Sequence, residues 1–479
     1  MSDRQTRKAK LFIENFVIFG IGGVINKMIP LIMLPIITRL MPDTAYFGIS
    51  DLSNTVVQFG SAMAVIGMYD AMYRLFFEKE DSLFRKKVCS TTITFTAVLS
   101  LLITVIMVCC KEIIARIFFG DIKYSFLVYI AAITTLVSAT NQIISAPTRM
   151  QNKRRIYLIT NALGPALAYL ISLPLILKGH YLIALPLASL ISGASIEITF
   201  GILNRKWFSI HLFDKKLLKQ LLVIAIPLLP NFLIYWIFNS SDKIMIANIL
   251  NIGESGIYSV GSKLGHASQL IYTAFAGGWQ YFAFSTMKDG NQVESNSKIF
   301  EYLGIISFIA TSFICAWSYG IFKLLFKADY LRGYIVAPYL FLAPLLQMLF
   351  QIAANQFMVI KKTWPNLFIL LAGAILNLII NYFLIPVLGI EGASLATLLG
   401  YIASDIICII VLCHMKLMII TKKFIIASIT LAGYVIVWRL FFNDSILVGN
   451  IGAIAFTIDM LLLYKNDFCK DYRKKILYR

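Results

Sequence analysis

The stretch SDKIMIANILNIGESGIYSVGSKL, residues 241–264, buries an acidic and a basic residue, Asp242 and Lys243, inside an otherwise apolar run. A short polar turn follows, and Lys263 and His266 then stand at the head of the next apolar run. An earlier stretch, IMLPIITRLMPDTAYFGISDL at residues 32–52, has the same layout. A shift of 212 places Ile32 and Met33 on Ile244 and Met245, Tyr46 on Tyr258 and Ser50 on Ser262. Two halves built alike, each with polar groups sunk in lipid-like sequence, predict a transporter whose path runs between them.

Composition sets the class. The 479 residues are 59% hydrophobic and only 14% charged, with a mean hydropathy of +0.79, far too apolar for a soluble domain. Apolar segments of about 20 residues recur along the whole length, and each can cross a bilayer as a helix. The short alternating segments of a transmembrane barrel are missing. The expected fold class is therefore all-α and polytopic. The net charge of +19 does not point to nucleic acid, because the cations sit where membrane topology demands them. The first apolar run is too long for a cleavable signal, and no small-residue cleavage site follows it. The seven cysteines show no metal-ligand spacing and read as small apolar residues.

Fourteen spans are expected, near 11–38, 44–72, 88–110, 122–147, 156–178, 181–203, 218–249, 254–284, 299–321, 333–358, 365–387, 391–414, 423–441 and 446–464. Of the 43 Lys and Arg, 31 fall in one set of loops and nine in the other, with Lys27, Lys243 and Lys263 inside spans. The positive-inside rule then puts both termini in the cytoplasm. The repeat continues past the opening stretch: Asp121 pairs with Asp329, and Lys153-Arg154 with Lys361-Lys362, each at an offset of 208. Spans one to six and seven to twelve are read as parallel repeats, related by an axis along the membrane normal. The expected division is an N-lobe over 1–210, a C-lobe over 211–416, two appended spans over 417–464 and a basic cytoplasmic tail over 465–479.

Polar groups inside the spans mark the candidate path. Lys27 shares a helix face with Gly20, Gly23 and Pro30 and lies roughly 16 Å from the nearer surface, too deep to snorkel comfortably. Asp51, Asn54, Gln58 and Ser61 form one stripe at spacings of 3, 4 and 3. The shift of 212 carries this stripe onto Lys263, His266, Leu270 and Thr273, with Gln269 beside it. A single stripe is equally well helix–helix glue, whereas matched stripes in both halves suggest two walls of one cleft. Asp242 either neutralises Lys27 or Lys263 or binds a coupling cation. Asp405 and Asp459 are each a candidate proton or sodium site, or a buried carboxyl satisfied by a neighbour. Asp70 and Arg74, four apart, suggest an ordinary helix pair. Prolines at Pro30, Pro35, Pro227 and Pro230 allow kinks in spans one and seven, where a hinge would be useful.

Three stretches, LPIITRLMPDTAYFGISDL at 34–52, SDKIMIANILNIGESGIYSVGSKL at 241–264 and NLIINYFLIPVLGIEGASLATLLGYI at 377–402, resemble the polysaccharide transporter family. These are the Wzx-type O-antigen and capsule-unit flippases of the multidrug/oligosaccharidyl-lipid/polysaccharide exporter superfamily. The resemblance covers essentially the whole chain, including the count of twelve plus two spans. It implies two six-helix lobes around a central cavity that opens to either side in turn, in the inner membrane of a bacterium. The implied cargo is an undecaprenyl-pyrophosphate-linked oligosaccharide moved from the inner to the outer leaflet. Cationic cavity residues are a family feature, and Lys27, Lys243 and Lys263, with His266, match it as headgroup-binding residues. Partners implied are the bilayer, the lipid-linked glycan, and the polymerase and chain-length proteins of an O-antigen, lipopolysaccharide or capsule pathway. No cofactor is implied beyond Na+ or H+ as a coupling ion, and no nucleic acid.

Three rival readings stand beside this one. A multidrug antiporter of the same superfamily should carry a carboxylate-dominated first-half cavity, whereas the deep first-span charge here is Lys27. A lipid II flippase differs only in cargo. A membrane-bound glycan ligase or polymerase needs catalytic residues on a sizeable outer loop, and none is expected here, nor is any nucleophile–base set visible. The expectation is a carrier and not an enzyme.

Overall fold

The computed structural model describes residues 28–477, except 274, 276–278, 280–282, 284–289 and 363. Side chains are described as far as Lys465, Arg154 excepted. Among the described residues every regular element is helical and none is a strand, so the all-α expectation holds.

Eleven of these helices are long and apolar enough to cross a membrane. The expected first and eighth spans, 11–38 and 254–284, fall partly outside the described residues. Within the expected second span the chain does not run straight through. Helix α2 (Thr44–Val65) stops at Ile66, and α3 (Met68–Phe76) starts afresh. Ile66 (φ 45°) and Gly67 (φ 72°) both adopt left-handed backbone, a conformation that closes helices and that Gly67 takes without strain.

The chain divides into two compact units, Met1–Ser259 and Val260–Arg479. In the first, α1 (Met28–Leu40) precedes α2 and α3. There follow α4 (Ser82–Cys109), α5 (Lys111–Phe119), α6 (Ser125–Met150), α7 (Arg154–Leu177) and α8 (Tyr181–Asn204). Helix α9 (Lys215–Ala225) leads through a tight turn at Ile226–Leu228 into α10 (Leu229–Ile249). Pro227 and Pro230 stand at this junction, where their missing N–H groups interrupt the α-helical ladder. Met68, Met72, Ala139, Ile143 and Leu221 form one apolar core of this unit, and Leu52, Val56, Leu127 and Ala131 form another. The outward faces are as apolar as the core: Leu101, Leu102, Val105 and Ile106 of α4 are all exposed, the pattern of a helix bathed in lipid.

Helix α11 (Ile252–Gly265) opens in the first unit and ends in the second. The second unit continues with α12 (Gln292–Leu325), α13 (Val336–Val359), α14 (Trp364–Leu388), α15 (Ile390–His414), α16 (Lys422–Val437) and α17 (Ile446–Leu477). The span containing α13 is its central post, 83% buried over its most apolar stretch. Helix α14 packs along α15, and α12 packs along α17. Helix α16 ends in a π-helical turn at Trp438–Phe442.

Candidate functional site

The polar residues singled out from the sequence separate into distinct groups. In the first unit α2, α10 and α11 meet around a buried ion pair. Lys243 Nζ lies 2.6 Å from Asp51 Oδ2, with the two side chains 16% and 3% exposed. Ser259 Oγ donates to the same carboxylate oxygen at 2.8 Å. One residue back, Asp242 accepts a 2.5 Å hydrogen bond from the Tyr258 hydroxyl, and Ser255 Oγ donates to the Lys243 carbonyl at 3.1 Å. Asp242 and Lys243 point about 100° apart on their helix, and each finds its own partner, Asp242 on α11 and Lys243 on α2.

Local sequence makes this approach possible. A Cβ on Gly256 would stand 2.2 Å from the Thr44 carbonyl oxygen, and one on Gly48 would stand 2.4 Å from that of Ile252. Glycine at both positions lets the α2 and α11 backbones touch, which brings Asp51 within reach of Lys243 and Ser259. The sequence reading assigned Lys243 to an anionic headgroup; in this conformation Asp51 already neutralises it. The repeat offset placed Asp51 opposite Lys263, because an offset finds equivalent positions and not contacts.

The remaining candidates are placed as follows. Asn54 and Gln58 are exposed on α2, while Ser61 is buried and its hydroxyl has no hydrogen-bond partner. Lys263 is exposed near the end of α11. His266 Nδ1 lies 2.8 Å from the Ser262 carbonyl and 3.0 Å from its hydroxyl. Gln269 is half-buried, and exposed Thr273 donates to its carbonyl at 2.7 Å. Lys27 lies outside the described residues. Asp405 is buried on α15 with both carboxyl oxygens unpartnered, whereas Asp459 on α17 is exposed. Asp70 and Arg74 form no ion pair; the cation acting on Asp70 is Arg149, which reaches across from α6 and donates to the Tyr69 hydroxyl at 3.0 Å. No three His, Cys, Asp or Glu side chains converge as a metal site among the described residues.

Two buried carboxylates escaped the sequence reading. Glu391 takes a bidentate grip from Arg439, Nε at 2.6 Å and a terminal nitrogen at 2.8 Å, and accepts the Tyr339 hydroxyl at 3.0 Å. Glu301 accepts the Thr421 backbone N–H at 2.6 Å and its hydroxyl at 2.9 Å. The first ties α15 to the π-turn after α16, and the second ties α12 to the N-terminus of α16. Both pairings join residues 48 or more apart in sequence, so helical spacing carried no signal for either. The π-turn, a feature frequent at functional sites, presents Arg439 to Glu391.

This helical architecture is shared by transporters of the MOP superfamily. A lipid II flippase, MurJ, in its inward closed conformation superposes with a TM-score of 0.72 at 13% identity, covering 94% of this chain and 100% of that one. An inward-facing multidrug resistance MATE family transporter gives 0.64 at 13% identity, covering 82% and 98%. A MOP superfamily transporter from Pyrococcus furiosus, described as having a binding pocket of reverse polarity, gives 0.56 at 13% identity, covering 85% and 95%. At these identities the likeness is one of fold. No curated protein matches the sequence. The family described as "Polysaccharide biosynthesis protein" matches residues 36–333, and the chain belongs to that family.

Proposed function

We propose that the protein is a flippase that carries an undecaprenyl-pyrophosphate-linked oligosaccharide repeat unit from the inner to the outer leaflet by alternating access, without catalysing a reaction. The observation that carries this reading is the joint one: a polysaccharide biosynthesis family on a fold shared with a lipid II flippase. The physics agrees. A pyrophosphate headgroup carries about two negative charges and cannot cross roughly 30 Å of hydrocarbon unaided. Lysines in a partly dry path would replace its water with charge-assisted hydrogen bonds.

Lys27 and Lys263, with His266 one turn on, are the residues we assign to the headgroup. Asn54, Gln58, Ser61, Gln269 and Thr273 would serve the sugar hydroxyls. Lys243 would join them only when it lets go of Asp51, so the buried ion pair would act as a latch that the anionic cargo competes to open. The topology proposed with this reading has both termini in the cytoplasm of a bacterial cell. The test is surface glycan in cells carrying Lys27→Ala, Lys263→Ala or both. Loss of surface glycan with normal membrane insertion is expected. Unchanged glycan in the double variant would remove the headgroup assignment.

A further inference from the structure

Asp405 stands on α15 about 22 Å from the Ile390 end and about 14 Å from the His414 end, deep within a span. The residue is 7% exposed, and neither carboxyl oxygen meets a hydrogen-bond partner. Beside it a cavity of about 460 Å³ runs between α15 and α16 over α12 and α13, walled by apolar side chains such as Phe308, Leu346, Leu398, Ile402, Ile409 and Leu431. Its other side-chain polar groups, Tyr339 and Ser428, have already given their hydrogens away. Tyr339 donates to Glu391 at 3.0 Å and Ser428 donates to the Phe424 carbonyl at 2.9 Å. Among the described residues no second Asp or Glu, and no Lys, Arg or His, lines the cavity.

The ionisable neighbours are few on every side. Cys408 lies on α15 itself and Tyr339 faces the cavity from α13. Helices α12 and α16 line it with apolar residues and Ser428. Helix α14, packed along α15, has Tyr382 as its one ionisable residue, and that side chain is exposed. An ionised carboxylate with no counter-charge and no donor is far more costly in such surroundings than a neutral acid. A dehydrated metal cation is no remedy, because it draws on a set of several oxygen ligands and this wall offers one carboxyl.

We propose that Asp405 is a proton-binding site of the transport cycle. Its carboxylate takes up one proton to form the neutral acid in the conformation described here, and releases that proton when the gap between α15 and α16 admits water. A transmembrane proton gradient thereby drives the conformational change. The coupling rests on the transport reading above, and the experiment separates the two.

Purified protein is compared with Asp405→Asn, which has the shape and volume of the protonated acid but cannot take up or release its proton. Infrared spectra, which need no cargo, should show a protonated-carboxyl band at neutral pH that Asp405→Asn lacks. In proteoliposomes given lipid-linked glycan and an imposed proton gradient, the wild type should move cargo faster than without the gradient, and Asp405→Asn should lose that acceleration. The proposal is overturned if the band is absent from the wild type or unchanged in Asp405→Asn. It is equally overturned if both proteins respond alike to the proton gradient, or if a sodium gradient drives both. Should the wild type move no cargo under any gradient, the transport reading fails, and the band then decides whether Asp405 holds a proton.

Discussion

Asp51 and Lys243 show what a membrane interior does to a pair of charges. Both were visible in the sequence as intramembrane ionisable residues, and both were assigned to a polar path. Their partnership was not visible, since 192 positions separate them and nothing in helical spacing reaches that far. The pair is nearly excluded from solvent, so removing one partner strands the other. Asp51→Asn or Lys243→Met should each lower stability by about 3–5 kcal/mol, read as the unfolding midpoint of the detergent-solubilised protein. The double variant should lose less than the sum of the two. Additive losses would mean that the two side chains do not depend on each other. The carboxylates of Glu391 and Glu301 teach the same lesson: the sequence shows charges, and the fold chooses partners.

At the scale of elements, hydrophobic runs were a good guide to where helices lie and a poor one to where they break. The expected span at 44–72 divides at Ile66 and Gly67 because two consecutive residues take left-handed backbone, and an apolar run gives no warning when one of them is isoleucine. Pro227 and Pro230, by contrast, announced the interruption between α9 and α10. Glycines hold the sharpest element-scale prediction. Gly256→Ala would drive a methyl group to 2.2 Å from the Thr44 carbonyl oxygen, a backbone atom that can yield only by moving α2. A loss of about 1–3 kcal/mol is expected. Gly201→Ala, on α8 with nothing within 4 Å of the new methyl group, should instead gain up to about 1 kcal/mol from helix propensity. Thermal unfolding of the two variants checks the contrast, and equal shifts would contradict the close α2–α11 contact.

For the whole molecule, composition and span periodicity were enough for the class, because lipid tolerates so few architectures. The repeat offset led to the stretches that carry the α2, α10 and α11 cluster. The identity of the proposed cargo left no trace, since hydroxyl recognition needs only common polar side chains in a suitable shape. Topology can be checked directly. Cysteines introduced at Lys123 and Lys327 should react with a membrane-impermeant maleimide in intact cells, and those at Lys79 and Lys361 only after permeabilisation. The reverse pattern would invert the orientation on which the proposed inner-to-outer transport depends.

The proposed activity is movement of a lipid-linked glycan across a bilayer. Its most direct test is the purified protein in liposomes loaded with undecaprenyl-pyrophosphate-linked repeat unit, with a membrane-impermeant glycosidase outside. Glycan initially confined to the inner leaflet should become cleavable over time with the wild type, and far more slowly with Lys27→Ala/Lys263→Ala. Cleavage no faster than in protein-free liposomes, with the protein folded and inserted, would contradict it.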